Sequence, residues 1–251
     1  MSSILITGAS SGLGEALALA YARPGTTLFL SGRDAGRLEA AAAACRQRGA
    51  DARPRVLCVT DRADMEAWIA ECDAVRPLDL VIANAGISAG TGGGGETAEQ
   101  ARAIFAVNVD GVKNTVWPAI AAMRRRRSGR IAIMSSLASF RGFPGAPAYC
   151  ASKAAVRVWG EGLRGWLSRE GITVSVICPG FVRSRMTAVN DFPMPFLMDA
   201  DQAARIMVAG IAAGRGRIAF PRRLYALSWL AACLPDTVSD WIGRKLPSKG
   251  G

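Results

Sequence analysis

The chain has 251 residues, half of them hydrophobic, with 31 basic against 20 acidic side chains, a formal net charge of +11 and no histidine. That length suits one domain, or two at most. The missing histidine excludes Ser-His-Asp and Cys-His nucleophilic catalysis and every histidine-bearing metal site.

Short apolar runs alternate with longer amphipathic stretches. The runs at 4–7, 26–31, 55–59, 78–84, 130–135, 173–179 and 217–220 predict seven strands, bounded by Gly, Pro or polar residues. Their near-continuous apolar character indicates strands buried on both faces. Helical patterns lie between them at about 13–22, 34–48, 61–74, 96–127, 148–169 and 199–213. Such alternation predicts an α/β fold in one domain over 1–251, with a doubly wound parallel sheet of seven strands flanked by helices. Pro118 is expected to kink the long fourth helix or to mark its repacking. "GTGGGGET" at 90–97 reads as a loop, and 222–251 as a helical tail. The run Arg124 to Arg127 falls at an expected helix end, which favours cations. It reads as a solvated helix terminus rather than a nucleic-acid patch. "LYALSWLAACL" is about half of the ~20 residues needed to span a bilayer. The opening "MSSILITGAS" carries no secretory pattern, and none of the six cysteines forms a C-x-x-C pair. Both features predict a cytoplasmic, reducing location.

Functional residues of an open parallel sheet are expected at the carboxyl ends of its strands. After the first strand comes "TGASSGLG" at 7–14, where Gly8, Gly12 and Gly14 bracket the turn into the first helix. Glycines there allow a tight turn and close approach to a pyrophosphate, and the helix N-terminus offers free N–H groups. The spacing is G-x-x-x-G-x-G, in the strand-to-helix context of a dinucleotide site. In "YCASK", Tyr149 and Lys153 are four residues apart and share a helix face. They read either as a surface pair or as a catalytic acid with a cation beside it.

"TGASSGLG", "NAG" at 84–86, "SS" at 135–136, "YCASK" and "PGFV" at 179–182 stand in the order of the short-chain dehydrogenase/reductase family, and the chain resembles that family up to about residue 220. The resemblance implies a Rossmann-type fold and hydride transfer between a nicotinamide and a carbonyl or alcohol. It implies that Tyr149 donates or accepts the proton, and that Lys153 lowers the phenol's pKa and holds the nicotinamide ribose. A cation beside a phenol that titrates near ~10 favours the phenolate. Ser136, with Ser135 as the neighbouring alternative, matches the serine that polarises the substrate carbonyl. Asn108 matches an asparagine that bends a helix and helps relay protons. Ser10, Ser11 and Leu13 belong to the phosphate turn. Asn84, Ala85 and Gly86 match the stretch beside the adenine ribose. Pro179, Gly180 and Val182 match the turn beside the nicotinamide, and Ser184 stands where the family often has a threonine. Cys58 stands where the family often has an acidic residue at the adenine, which leaves that contact to the Val59 backbone or to Asp61.

In "LSGRD", Gly32 occupies the place of the acid that binds a ribose hydroxyl in NAD enzymes, and Arg33 follows. An arginine suits a 2′-phosphate, so NADP(H) is expected, with NAD(H) as the alternative. Asp34 reads as a helix cap. The Met- and Pro-rich stretch 185–200 is expected to be a substrate loop over an apolar pocket, which points to an apolar small-molecule carbonyl or alcohol. The resemblance also implies a homodimer or homotetramer paired through the helices at 96–127 and 148–169. The tail, with Leu224, Leu227, Trp229, Leu230 and Leu234 beside Arg222 and Arg223, reads as a cap on the pocket or a subunit contact, ahead of a helix lying on a membrane. The rival functions are a non-catalytic NADP(H)-binding redox sensor and a 3-oxoacyl-carrier-protein reductase. A sensor would be expected to lose Tyr149 or Lys153. Branch members reducing carrier-bound acyl groups usually end soon after the last strand.

Overall fold

The structure is a computed structural model that describes residues 2–89, 96–188, 192–235 and 237–238. Most of the predicted glycine loop, residues 189–191 of the predicted substrate loop and the tail beyond 238 lie outside the described residues. The strands are β1 (Ser2–Thr7), β2 (Thr26–Gly32), β3 (Asp51–Val56), β4 (Leu80–Ala83), β5 (Gly129–Met134), β6 (Ile172–Pro179) and β7 (Arg217–Phe220). All pair in parallel in the order β3-β2-β1-β4-β5-β6-β7. The helices are α1 (Gly12–Tyr21), α2 (Ala35–Gln47), α3 (Arg62–Val75), α4 (Ala98–Phe105), α5 (Gly111–Arg126), α6 (Pro147–Leu167), α7 (Arg185–Ala188), α8 (Ala200–Ala212) and α9 (Arg222–Ala232).

Successive strand residues point to opposite faces, so each strand feeds two cores. Ile4, Ile6, Leu28 and Leu30 pack with α1, α2 and α8 on one side. Leu5, Phe29 and Val81 pack with α3, α5 and α6 on the other. This is the predicted doubly wound, Rossmann-type sheet with a helical tail. Strand order reverses between β1 and β4, so the crevice for a ligand opens beyond their carboxyl ends. Asn84 closes the floor of that crevice. Its Nδ2 donates to the Thr7 carbonyl at 2.9 Å, while the backbone N–H groups of Asn84 and Ala85 donate to Thr7 Oγ1 at 3.1 and 3.2 Å.

Two predicted elements differ. The third strand runs from Asp51 to Val56 rather than over 55–59. It is an edge strand, so Pro54 is tolerated where a central strand would need its N–H. The apolar residues Leu57 and Val59 instead leave the sheet and are buried beneath the crevice. The predicted helix 96–127 is two helices joined by a π-helical turn at Ala106–Asp110, and Pro118 lies within α5 without ending it. The π turn aims Asn108 inward, where it is 0 % exposed. Such turns often mark functional sites.

The arginines that close α5 act as staples. Arg124 pairs with Glu170 and stacks 4.4 Å above Trp166, Arg126 pairs with Asp73 at 2.9 Å, and Arg127 donates to the Arg169 carbonyl at 2.7 Å. Among the described residues no helix is long and apolar enough to cross a membrane.

Candidate active site

A cavity of about 1160 Å³ opens along the carboxyl ends of the strands. All of the predicted site residues border it except Gly14 and Asn108, which act from behind its wall. The phosphate turn shows why glycine is needed. Gly8 and Gly12 have φ of +68° and +59°, and a Cβ on Gly14 would lie 2.1 Å from the Gly8 carbonyl oxygen. Any side chain at 14 would push the turn apart. The free N–H groups of the first turn of α1 therefore stay open towards the cavity, with Ser11 as an N-cap whose side chain makes no capping bond. These are the features of an anion cradle.

At the end of β2, a Cβ on Gly32 would meet Ser10 Oγ at 2.9 Å, so an acidic side chain has no ready space there. Arg33 is exposed at the cavity edge. Asp34 caps α2 by accepting from the Arg37 N–H at 2.9 Å, as expected, and also pairs with the Arg37 guanidinium at 2.8 Å. Arg37 borders the cavity too. It lies four residues after Arg33, a signal that was legible in the sequence. Asp61 is spent as the N-cap of α3, accepting from the Asp64 N–H at 3.0 Å, and does not border the cavity. Cys58 and Val59 line that end instead.

The chemical end is built on β5, α6 and the π turn. Ser135 donates to the Lys153 carbonyl at 2.8 Å and is fully engaged in joining β5 to α6. Ser136 is the serine that faces Tyr149, and its hydroxyl accepts from the Ala138 N–H at 3.1 Å. Lys153 is only 3 % exposed. Its Nζ donates to the Met134 carbonyl at 3.0 Å and lies 5.8 Å from the centre of the Tyr149 ring. A Cβ on Gly86 would come within 3.1 Å of Lys153 Nζ and 3.2 Å of Asn108 Oδ1, so Gly86 leaves room for both. Asn108 accepts from the Ile87 N–H at 2.8 Å and donates to the Ile87 carbonyl at 2.9 Å and Ser152 Oγ at 3.0 Å. Losing it would strand buried partners at about 1–3 kcal/mol each.

Burial dominates the electrostatics here. It lowers Lys153 from 10.5 to about 8. It raises the Tyr149 phenol, against a smaller lowering by the Ser136 hydroxyl. The expected net lowering of the phenol by Lys153 is therefore not found. The ammonium is directed at Met134, and removing a phenolate from water costs more than the hydroxyl of Ser136 returns.

Two further contributions were not read from the sequence. Glu96 accepts from the Ala148 N–H at 2.9 Å and so caps the N-terminus of α6 one residue before Tyr149. No local signal links residues 52 positions apart. Thr187 receives the Ser184 N–H at 2.9 Å and donates to the Val182 carbonyl at 2.8 Å, which pins the turn after β6. The far wall is apolar, formed by Leu137, Phe143, Phe181, Met186, Phe192 and Leu224.

A model of the short chain dehydrogenase family matches residues 2–192. An uncharacterized oxidoreductase of Myxococcus xanthus is 40 % identical over 243 residues, covering 96 % of each chain. Among solved structures, a short-chain dehydrogenase from Sphingobium yanoikuyae in complex with NADPH is similar with a TM-score of 0.82 and 26 % identity, covering 98 % of this chain and 97 % of that one. A short chain dehydrogenase/reductase from Burkholderia phymatum in complex with NAD has a TM-score of 0.84 and 25 % identity, covering 92 % of each. The phosphate turn at the switch of strand order, the buried lysine beside a tyrosine on α6 and these similarities agree: the chain belongs to the short-chain dehydrogenase family and is a nicotinamide-dependent oxidoreductase.

Proposed function

We propose that the protein is an NADP(H)-dependent carbonyl reductase or alcohol dehydrogenase acting on an apolar substrate. The observation that carries this is one cavity with an arginine pair, Arg33 and Arg37, beyond β2, and with Ser136, Tyr149 and Lys153 beyond β5. β2 and β5 are three strand spacings apart, roughly 14 Å, a span suited to a dinucleotide. The turn Gly8 to Gly14, with Ser10, Ser11 and Leu13, would hold the pyrophosphate. Arg33 would hold the 2′-phosphate, Val59 and the stretch Asn84, Ala85 and Gly86 the adenosine, and Pro179, Gly180, Val182 and Ser184 the nicotinamide. The bound cofactor would supply a hydride to the carbonyl carbon.

In the direction of reduction, the Ser136 hydroxyl hydrogen-bonds the carbonyl oxygen. Tyr149 gives its phenolic proton to that oxygen, and the product is the alcohol. The high phenol pKa suits an acid that keeps its proton until the oxygen gains charge. Lys153 stabilises the phenolate that remains, returns a proton to it and regains one from solvent, through a water that Asn108 would hold. NADPH oxidation over a panel of apolar aldehydes, ketones and quinones tests the assignment. Tight NADPH binding with no turnover of any of them would remove it.

The cofactor choice has its own test. Arg33→Ala is expected to raise the KM for NADPH by about tenfold or more, since a charge-assisted bond to phosphate is lost. The KM for NADH should stay within about threefold, because no 2′-phosphate is involved. Equal changes for both would assign Arg33 no part in the choice.

The reading includes a homodimer or homotetramer and a cytoplasmic location. The support for the oligomer is the exposed apolar Trp117 on α5 with Val158 and Trp166 on α6, where the Trp117 ring meets Trp159 at a tilt at 5.9 Å and Trp166 edge-on at 6.0 Å. Val158→Glu, at an exposed position, is expected to lower the mass seen by sedimentation velocity to that of the monomer; an unchanged mass would exclude this patch. All six cysteines are unpaired, which supports a reducing compartment.

A further inference from the structure

We propose that the outer face of α9 docks on an anionic lipid bilayer, with the mouth of the cavity beside the docked face. The helix is two-sided. Its inner side is held in place: Leu224 closes on Gly180, where a Cβ would meet its Cδ2 at 2.8 Å, and the Tyr225 ring meets Phe140 edge-on at 5.5 Å. Arg217 Nη1 donates to the Tyr225 hydroxyl at 3.0 Å. Leu224 and Ser228 border the cavity. The expected pocket cap is thus the inner half of this helix.

The outer side carries Leu227, Trp229 and Leu230, which are 57 %, 55 % and 56 % exposed, and the exposed Arg222 and Arg223 in the first turn. The fixed inner side presents this face to solvent in one orientation. A second copy of the chain is a poor occupant. The reading above already places the subunit contact on α5 and α6 rather than on α9. A two-fold contact would also bring the same patch, with its arginines, against itself on chains of net charge +11. An anionic bilayer accepts both features: leucine and tryptophan enter the headgroup boundary, and the arginines meet lipid phosphates.

The helix that carries this face also borders the cavity through its inner side. Met186 and Arg185 of α7 are exposed and border the same cavity as Leu224 and Ser228. A substrate dissolved in the bilayer would reach the apolar wall without crossing water. That consequence rests on the apolar-substrate reading above, whereas the docking itself does not.

Flotation with vesicles tests the docking. Wild-type protein is expected to float with vesicles of phosphatidylcholine mixed with phosphatidylglycerol, and to float much less with phosphatidylcholine alone or in high salt. A variant carrying Leu227→Ser, Trp229→Ser and Leu230→Ser is expected to float at least tenfold less, with its turnover of a water-soluble carbonyl unchanged. Arg222→Gln with Arg223→Gln is expected to remove the preference for the anionic vesicles. Wild type remaining in the soluble fraction with both vesicle types overturns the proposal, as does a triple-serine variant that floats like wild type. Loss of mass by the triple variant in sedimentation, with no flotation of wild type, makes the face a subunit contact and also overturns it. Flotation without turnover of any carbonyl would leave the docking standing and remove the reductase reading instead.

Discussion

Tyr149→Phe is expected to lower kcat for carbonyl reduction by about 10²- to 10⁴-fold, the usual worth of a positioned general acid. NADPH affinity should stay within about threefold, because the ring and its packing remain and only one hydroxyl is removed. The effect belongs to kcat because the proton is needed only as charge develops on the carbonyl oxygen. The Ser136 hydroxyl would lose its partner at the phenol but keep the Ala138 N–H. Single-turnover measurement of NADPH oxidation beside a binding titration separates the two quantities. A kcat within tenfold of wild type, with a carbonyl that wild type reduces, would take Tyr149 out of the chemistry.

Lys153→Met should abolish turnover to a similar extent, yet not destabilise the fold at neutral pH. The lysine is buried, and the gap between 10.5 and about 8 corresponds to roughly 3 kcal/mol of desolvation cost carried by its charged form. Against that, the variant leaves the Met134 carbonyl unpaired, at about 1–3 kcal/mol. The net expectation is a gain of up to about 2 kcal/mol below pH 8. The sign follows from proton counts. Below about 8 both the folded and the unfolded chain hold the proton on Lys153, and the cost is fully present. Between about 8 and 10.5 the folded chain has released it while the unfolded chain keeps it, so wild-type stability rises with pH. The advantage of Lys153→Met should therefore shrink across that window. Denaturant unfolding at several pH values measures it. A large loss of stability below pH 8, or a difference that does not change with pH, would show that the lysine is not held against its own burial. In wild type, kcat/KM for NADPH is expected to fall as pH rises through about 8, where the ammonium is lost from the free enzyme.

Both predictions turn on the same departure of function from stability. The structure keeps a cation in its interior beside a tyrosine whose phenol burial also disfavours ionising. A core built for stability alone would place apolar side chains there. Perturbed titration of this kind is concentrated at functional sites, which supports the proposed chemistry here.

Much of this was written locally. Strands buried on both faces read as continuous apolar runs, because helices cover both sides of a parallel sheet. The glycines at 8, 12 and 14 and the pair Tyr149 and Lys153 are legible because their spacing is imposed by one turn and one helix, and neighbours in sequence are neighbours in space. The edge strand Asp51–Val56 was misplaced because an edge carries polar residues and tolerates proline, so its pattern is weaker than that of the apolar run after it. Periodicity alone gave one helix over 96–127, and the break at Asn108 was legible only through the resemblance, which implies an asparagine that bends a helix there; the bonds that hold Asn108 run to Ile87, a residue 21 positions earlier.

The amino-acid sequence by itself determined the alternation of strand and helix, the phosphate turn and the tyrosine–lysine pair, because each depends on interactions within one element. Only the tertiary structure decided which of two adjacent serines faces the phenol, that Glu96 caps the helix bearing it, that burial raises the phenol and lowers the lysine, and that α9 has a pocket side and a solvent side. Each of those depends on groups far apart in sequence that meet only when the sheet is assembled, and on the exclusion of water that the assembly brings.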